Sequence, residues 1–180
     1  MNELIKSAFL PQLLAPFYPR VEDLGEFQRI PPDQLPETYH RLLEHDGHMT
    51  VTLEKYHGCH VHLDVLRSDR VGQAYVRKIV LRRSRDERVV LFGIVRLNLQ
   101  LLPAAVSEQI QDESRPLGHL LIEHNVLREV ERLATWRIQT RTELRDLFGH
   151  AQSETLYGRT AIIHCNGDPA IELLEIVMAD

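Results

Sequence analysis

Leu156-Tyr157-Gly158-Arg159-Thr160-Ala161-Ile162-Ile163-His164-Cys165-Asn166-Gly167-Asp168-Pro169-Ala170-Ile171-Glu172-Leu173-Leu174-Glu175-Ile176-Val177 consists of two apolar runs flanking an Asn-Gly-Asp-Pro turn. That pattern predicts a β-hairpin closing the protein. Side chains alternate along a strand, so Glu175 shares a face with Ile171, Leu173 and Val177. A carboxylate among aliphatic neighbours is costly to keep ionised. It must therefore lie at an exposed edge, be paired, or be kept for proton chemistry.

Reading outward from the hairpin, more strands appear. Cys59 to Leu66 alternates, with Val61, Leu63 and Val65 opposite His60, His62 and Asp64. Ala74 to Leu81 and Val89 to Leu99 are β-branched runs joined by a charged tip at 82–88, as expected of an antiparallel pair. Met49 to Leu53 is also strand-like. Residues 37–45 read as a short helix with Tyr39, Leu42 and Leu43 on one side. Pro103 and Pro116 are placed to open helices, the second continuing at helical spacing from Leu117 to Trp136 with a break near Asn125. Residues 140–155 are polar, a helix remnant and loop. Five prolines in residues 1–35 argue against a helix there beyond a first turn or two. The chain divides into a Pro-rich N-terminal arm, 1–35, and a domain, 36–180. Strands, then helices, then strands indicate an α+β fold, a single domain with helices packed on an antiparallel β-sheet.

A chain of 180 residues with 43% hydrophobic and 26% charged residues buries an ordinary core without staples. The formal net charge of −5, with basic residues dispersed, argues against a nucleic-acid surface. Arg82, Arg83, Arg85 and Arg88 cluster, but Asp86 and Glu87 among them make this a solvated hairpin tip. No stretch is long and apolar enough for a membrane span, and residues 1–20 lack the pattern of a signal peptide. With only Cys59 and Cys165 there is no disulfide framework, so a reduced cytoplasmic protein is the expectation. No Gly-rich phosphate loop, nucleophile elbow or Cys-x-x-Cys pair occurs.

The candidate site residues follow from strand phase. Arg77 falls with Tyr75, Ile79 and Leu81, while Lys78 faces the other way with Val76 and Val80. A guanidinium held over apolar neighbours needs an anion, supplied either by the protein or by a bound carboxylate. Arg96 shares a face with Phe92 and Ile94. Were Glu175 interior, burial would raise its pKa and a neighbouring arginine would oppose the rise. Leu117, following Pro116 at a helix start, has a backbone N–H without an intrahelical acceptor. His60, His62 and Asp64 could supply metal ligands, with His57 and Cys59 nearby, but alternation explains them as the wet face of a half-buried strand.

Dispersed blocks over most of residues 36–178 resemble the chorismate lyase (4-hydroxybenzoate synthase) family and its diverged relatives. The blocks are Met49-Thr50, Leu53-Glu54 and Gly58 with Val61; Tyr75-Val76-Arg77 with Ile79 and Leu81; Pro116-Leu117-Gly118; and Leu156-Tyr157-Gly158-Arg159 with Gly167, Pro169 and Glu175. The step from Pro169 to Glu175 is like that of the diverged branch. In that family the product lies in a buried pocket, held by an arginine and a glutamate and by two backbone N–H groups. By motif these fall on Arg77, Glu175, Met49 and Leu117. The family's second arginine, after the glycine that matches Gly93, is replaced by Ile94, and Lys78 stands where an acidic residue is common.

The resemblance implies a chorismate lyase-like fold and a lyase that eliminates pyruvate from chorismate, or a close analogue, to give a hydroxybenzoate. Aromatisation drives such a reaction, so the protein would position a chorismate-like dianion and assist one proton movement, with no metal or organic cofactor. Arg77 would clamp the ring carboxylate, Arg96 the pyruvyl carboxylate, and Glu175 would bond the ring hydroxyl as general acid or base. The alternative is a non-catalytic aromatic-acid sensor, because the same fold serves as the effector-binding domain of some bacterial transcription regulators.

Overall fold

The computed structural model of the chain describes residues 3–149 and 154–179, with side chains from Ala8 onward. Its centre is a seven-stranded, wholly antiparallel sheet built from β1 (Gly25–Ile30), β2 (Val61–Val71), β3 (Ala74–Arg83), β4 (Val89–Leu97), β5 (Arg128–Thr140), β6 (Thr155–Cys165) and β7 (Asp168–Val177). The order across the sheet is β1-β5-β6-β7-β4-β3-β2. The closing hairpin is β6–β7. Asn166 (φ 54°) and Gly167 (φ 92°) both lie at positive φ, as a tight two-residue connection matching strand twist requires.

Six helices cover the sheet: α1 (Glu3–Leu14), α2 (Glu37–Leu43), α3 (Met49–His57), α4 (Ala104–Gln111), α5 (Leu117–Glu123) and α6 (Thr142–Phe148). On one face α1 and α6 pack Leu10, Leu13, Leu14, Leu144 and Phe148 against Val80, Phe92, Ile94, Leu174 and Ile176. On the other face α2 and α3 lie over Ile79, Leu81, Leu91 and Val177, while α4 and α5 lie over Val95, Leu97, Ile171 and Leu173. These two clusters adjoin without merging, and the space between them becomes the cavity described below.

Pro103 and Pro116 do stand immediately before α4 and α5. Three segments differ from expectation. The N-terminal arm begins as a helix despite Pro11, because Phe9, Leu10, Leu13 and Leu14 become buried in the core. Each such side chain contributes about 1.5–3 kcal/mol, enough together to outweigh a missing N–H bond. Residues 25–30 then join the sheet, Gly25 opposite Thr140 and Ile30 opposite Thr135. Met49–Leu53 is not a strand but the start of α3. Met49, Leu53 and His57 are buried at helical spacing, and Gly58, at φ 64°, terminates the helix.

The helix after Pro116 ends at Glu123. Asn125 takes φ 50°, and residues 128–140 form β5 between β1 and β6. Val130, Thr135, Trp136, Ile138 and Thr140 suit an extended chain, and pairing on both sides overrides the apparent 3.6-residue period. Of residues 140–155, 142–148 form α6, and 150–153 lie outside the described residues. The arginine-rich tip is not wholly solvated: Arg83 is buried and holds Asp86 through Nε (3.0 Å) and Nη2 (2.7 Å).

Gly158 marks a close approach within the closing hairpin. A Cβ there would stand 2.5 Å from the Glu175 carbonyl oxygen, with Ile138 and Ile176 side chains on its other sides. Gly158→Ala should therefore destabilise the fold by about 2 kcal/mol. Urea unfolding should show this as a lower midpoint at unchanged slope.

Candidate functional site

Between the two helix pairs and the sheet lies a cavity of about 60 Å³. A single water needs about 10–15 Å³, so the space exceeds that of one water several-fold. Its floor is sheet, with Arg77 and Ile79 from β3, Gly93 and Val95 from β4, Leu173 and Glu175 from β7, and Arg159 and Ile163 from β6. Its roof is the first turn of α3, from His48 to Thr50, and of α5, from Pro116 to Gly118.

Arg77 is 1% exposed. Its Nε has no hydrogen-bond partner, and Nη1 makes only a long bond, 3.4 Å, to the Ile110 carbonyl. Among the described residues no carboxylate lies within ion-pair range of it. Burial lowers its pKa, weakly opposed by Tyr75 and Glu113. Tyr75 donates its hydroxyl proton to Glu113, so that acid is already engaged. The sheet thus presents a desolvated cation whose bonding edge is unfilled.

Glu175 is interior, its side chain 13% exposed, and it is paired. Arg159 lies directly opposite on β6, with Nε 2.8 Å from Glu175 Oε2. Arg159 Nη1 donates to the carbonyls of Leu43 (2.8 Å) and His45 (2.9 Å), in the link from α2 to α3. Glu175 is therefore half of an ion pair, the paired outcome among the three that the sequence left open.

Met49 and Leu117 are the first residues of α3 and α5, so their N–H groups have no acceptor within their helices. The two helix starts nearly touch: a Cβ on Gly118 would be 2.8 Å from Thr50 Oγ1. Two positive helix ends therefore meet above the cavity.

At the far end stands Arg128, the first residue of β5. Its Nε donates to His48 Nε2 at 2.7 Å and its Nη1 to the Asp46 carbonyl at 2.7 Å. His48 accepts that bond only as the neutral imidazole. Burial, then the Arg128 charge and His119, push its pKa down to about 4.

The structure thus brings Arg77, Glu175, Met49 and Leu117 to one cavity. It does not bring Arg96. Gly93, Val95 and Leu97 face the cavity side, so Arg96 points through the opposite face, where Nη1 pairs with Glu172 Oε2 at 2.8 Å and Nη2 bonds the Gln12 carbonyl. A clamp by Arg96 on a second carboxylate is excluded by that placement. Lys78 also lies on the far face, 2.6 Å from Glu143 and 3.4 Å from the Tyr18 hydroxyl. His60, His62 and Asp64 each turn to a separate partner: Glu54 (3.1 Å), Glu87 (3.0 Å) and Arg82 (3.2 Å). Among the described residues no three potential ligands are grouped for a metal, and no helix is long and apolar enough to cross a membrane.

Arg159 and Arg128 were not among the residues expected at the site. Counting back from the Asn166-Gly167 turn puts Gly158 opposite Glu175. A register shift between Ile163 and His164 brings Arg159 there instead. Arg128 was concealed by reading 117–136 as helix.

A histidine kept neutral by folding takes up protons in the unfolded chain first. His48 should therefore contribute stability above pH 6.5 that is lost progressively as pH falls towards 4. His48→Gln retains an acceptor without titrating. Urea midpoints measured at pH 7 and pH 4.5 should fall less in this variant than in the unmodified protein.

No protein-family model and no curated protein matches the sequence. Among solved structures the chain is similar to PhnF from Mycobacterium smegmatis, at 13% identity and a TM-score of 0.51. That match covers 74% of this chain and 64% of PhnF, so the chain spans less than two thirds of that protein's length. A weaker likeness is to the C-terminal domain of histidine utilization repressor from Pseudomonas syringae pv. tomato, with 14% identity, a TM-score of 0.47, and 65% of this chain and 90% of that one covered. At these identities the likeness is one of architecture. The chain has the α+β, chorismate lyase-like fold, and PhnF has it too.

Proposed function

We propose that this chain is a binding module for a small aromatic carboxylate, which it holds in the cavity without converting it. The observation that carries the reading is Arg77: a buried guanidinium, Nε unpartnered, at a cavity otherwise walled by Ile79, Leu91, Val95, Leu121 and Leu173. Leaving such a group unanswered in low dielectric costs several kcal/mol, and a carboxylate laid along its edge supplies a charge-assisted pair of bonds. The first turns of α3 and α5 add backbone donors and favourable dipoles on the opposite side. The apolar walls accept a ring. An effector-binding role of this kind is a known use of the fold.

Turnover of chorismate is the second reading, favoured by one observation: all four positions that the family resemblance assigns to ligand contact line this single cavity. Two features weigh against it. Glu175 Oε2 is tied to Arg159, leaving only Oε1 to meet a substrate. Ile94, where the family has its second arginine, is fully buried on the far face in the core with α1.

Incubating the purified protein with chorismate, with lactate dehydrogenase reporting pyruvate, separates the readings. Calorimetry with 4-hydroxybenzoate is expected to show binding, with no pyruvate formed above the uncatalysed rate. Pyruvate production that disappears in Glu175→Gln would establish the lyase instead. Arg77→Ala should weaken 4-hydroxybenzoate binding about 30-fold or more, the loss of a buried charged pair. Lys78→Ala, on the far face, should leave that affinity within about threefold. Equal effects from the two variants would remove the cavity from the account.

A further inference from the structure

The cavity walls carry the guanidiniums of Arg77, Arg128 and Arg159, against the single carboxylate of Glu175. Arg159 is committed to Glu175 and to two carbonyl oxygens. Among the described residues, two of these positive charges, on Arg77 and on Arg128, have no carboxylate in ion-pair contact. Asp46, the carboxylate whose charge reaches Arg128, is itself paired with Arg132. What Arg128 has instead is a neutral imidazole acceptor and a carbonyl, which orient it without neutralising it.

The two unanswered cations lie at opposite ends. Arg77 is on β3 and Arg128 on β5, four steps apart in the order β5-β6-β7-β4-β3. Through Val95, Leu173 and Ala161, Arg77 is level with Arg132, four residues beyond Arg128 on β5. At about 4.8 Å a strand and about 3.3 Å a residue, the Arg77 and Arg128 backbones are roughly 23 Å apart, too far for both side chains to grip one small anionic group. Between them the floor is apolar, with Val95, Leu173, Ile163 and Val130.

From this geometry we infer that the occupant carries two acidic groups joined by an apolar body, one held by Arg77 and the other by Arg128, and that His48 is the positioning residue that aims Arg128. The inference rests on the binding reading given above and extends it from a carboxylate to a two-ended diacid. It also puts the second anchor on β5 in place of the arginine missing at Ile94. A carboxylate and a phosphate present the same oxyanion edge to Arg128, so the second acid is defined by charge and position.

The test is calorimetry on the full chain with benzene-1,4-dicarboxylate, 4-carboxycinnamate and chorismate, each of the first two compared with its monoamide, and with 4-hydroxybenzoate as the simple monoacid. At least one diacid should bind tenfold or more tighter than its monoamide. Arg128→Ala should abolish that margin, the diacid falling to the affinity of its monoamide. If Arg128→Ala does not fold, Arg128→Gln is read in its place, and the diacid comparison in the unmodified protein needs no variant at all. His48→Leu should reduce the margin between diacid and monoamide, and His48→Gln should restore it. A generic packing role for His48 would move both ligands together and overturn its assignment. If 4-hydroxybenzoate binds but no diacid gains over its monoamide, the second anchor is refuted and the binding reading stands. If no acid binds, both fall.

Discussion

One guanidinium fixes the helical layer of the cavity to the sheet. Arg159 reaches Glu175 across the closing hairpin and, with its remaining donors, the carbonyls of Leu43 and His45. Removing it would strand a mostly buried carboxylate and two backbone acceptors, a loss on the order of 3–5 kcal/mol. The intact pair is not worth that much, because its Coulombic gain mostly repays the desolvation of both ions. Its contribution is positional. By holding the link that ends α2, it sets where α3 begins, and so where the Met49 and Thr50 backbone stands relative to the floor.

The two faces of the sheet treat cations differently. Away from the cavity, Lys78 is answered by Glu143 and Arg96 by Glu172, each a local tie between the sheet and its flanking segments. Lys78 also lies over the Tyr18 ring, whose hydroxyl titration is pushed well up by burial and by Glu143. Of the three arginines that line the cavity, Arg159 is the one paired with a carboxylate among the described residues. The consecutive residues Lys78 and Arg77 thus have opposite meanings: Lys78 closes a structural network, whereas Arg77 leaves an electrostatic demand open. That asymmetry separates the cavity face of the sheet from its packed face.

What could be read from the sequence was what depends on near neighbours. Asn166-Gly167 states its own turn, Pro103 and Pro116 mark helix starts, and the two-residue period of β3 and β7 places Arg77 and Glu175 on their faces without reference to anything distant. Leu117 was marked by its place after Pro116 at a helix start, whereas Met49 came from the family resemblance alone, with α3 then explaining why its backbone has a donor to spare. The failures were non-local. Arg96 was given the right phase but the wrong partner, since nothing in β4 alone says which face will be roofed by α3 and α5. Residues 128–140 carry enough scattered apolar positions to imitate a helix, and only two flanking strands settle them as β5. Met49–Leu53 erred the other way, its helical stop at Gly58 being outweighed by a short apolar alternation. The register shift in the closing hairpin, which turns Arg159 into the partner of Glu175, has no mark in composition at all.

The pairing of β1 with β5 joins residues 25–30 to residues 135–140. Everything between must be in place first, so loop-closure entropy falls heavily on this contact and formation of the sheet's outer margin belongs late in folding. During synthesis at roughly 5–20 residues per second, the first strand waits on the order of 5–20 s for its mate to be made. Leu13, Leu14 and Leu24, all sealed in the finished protein, have no complete core to enter over that interval. These side chains therefore stay uncovered until the later strands have been made and paired.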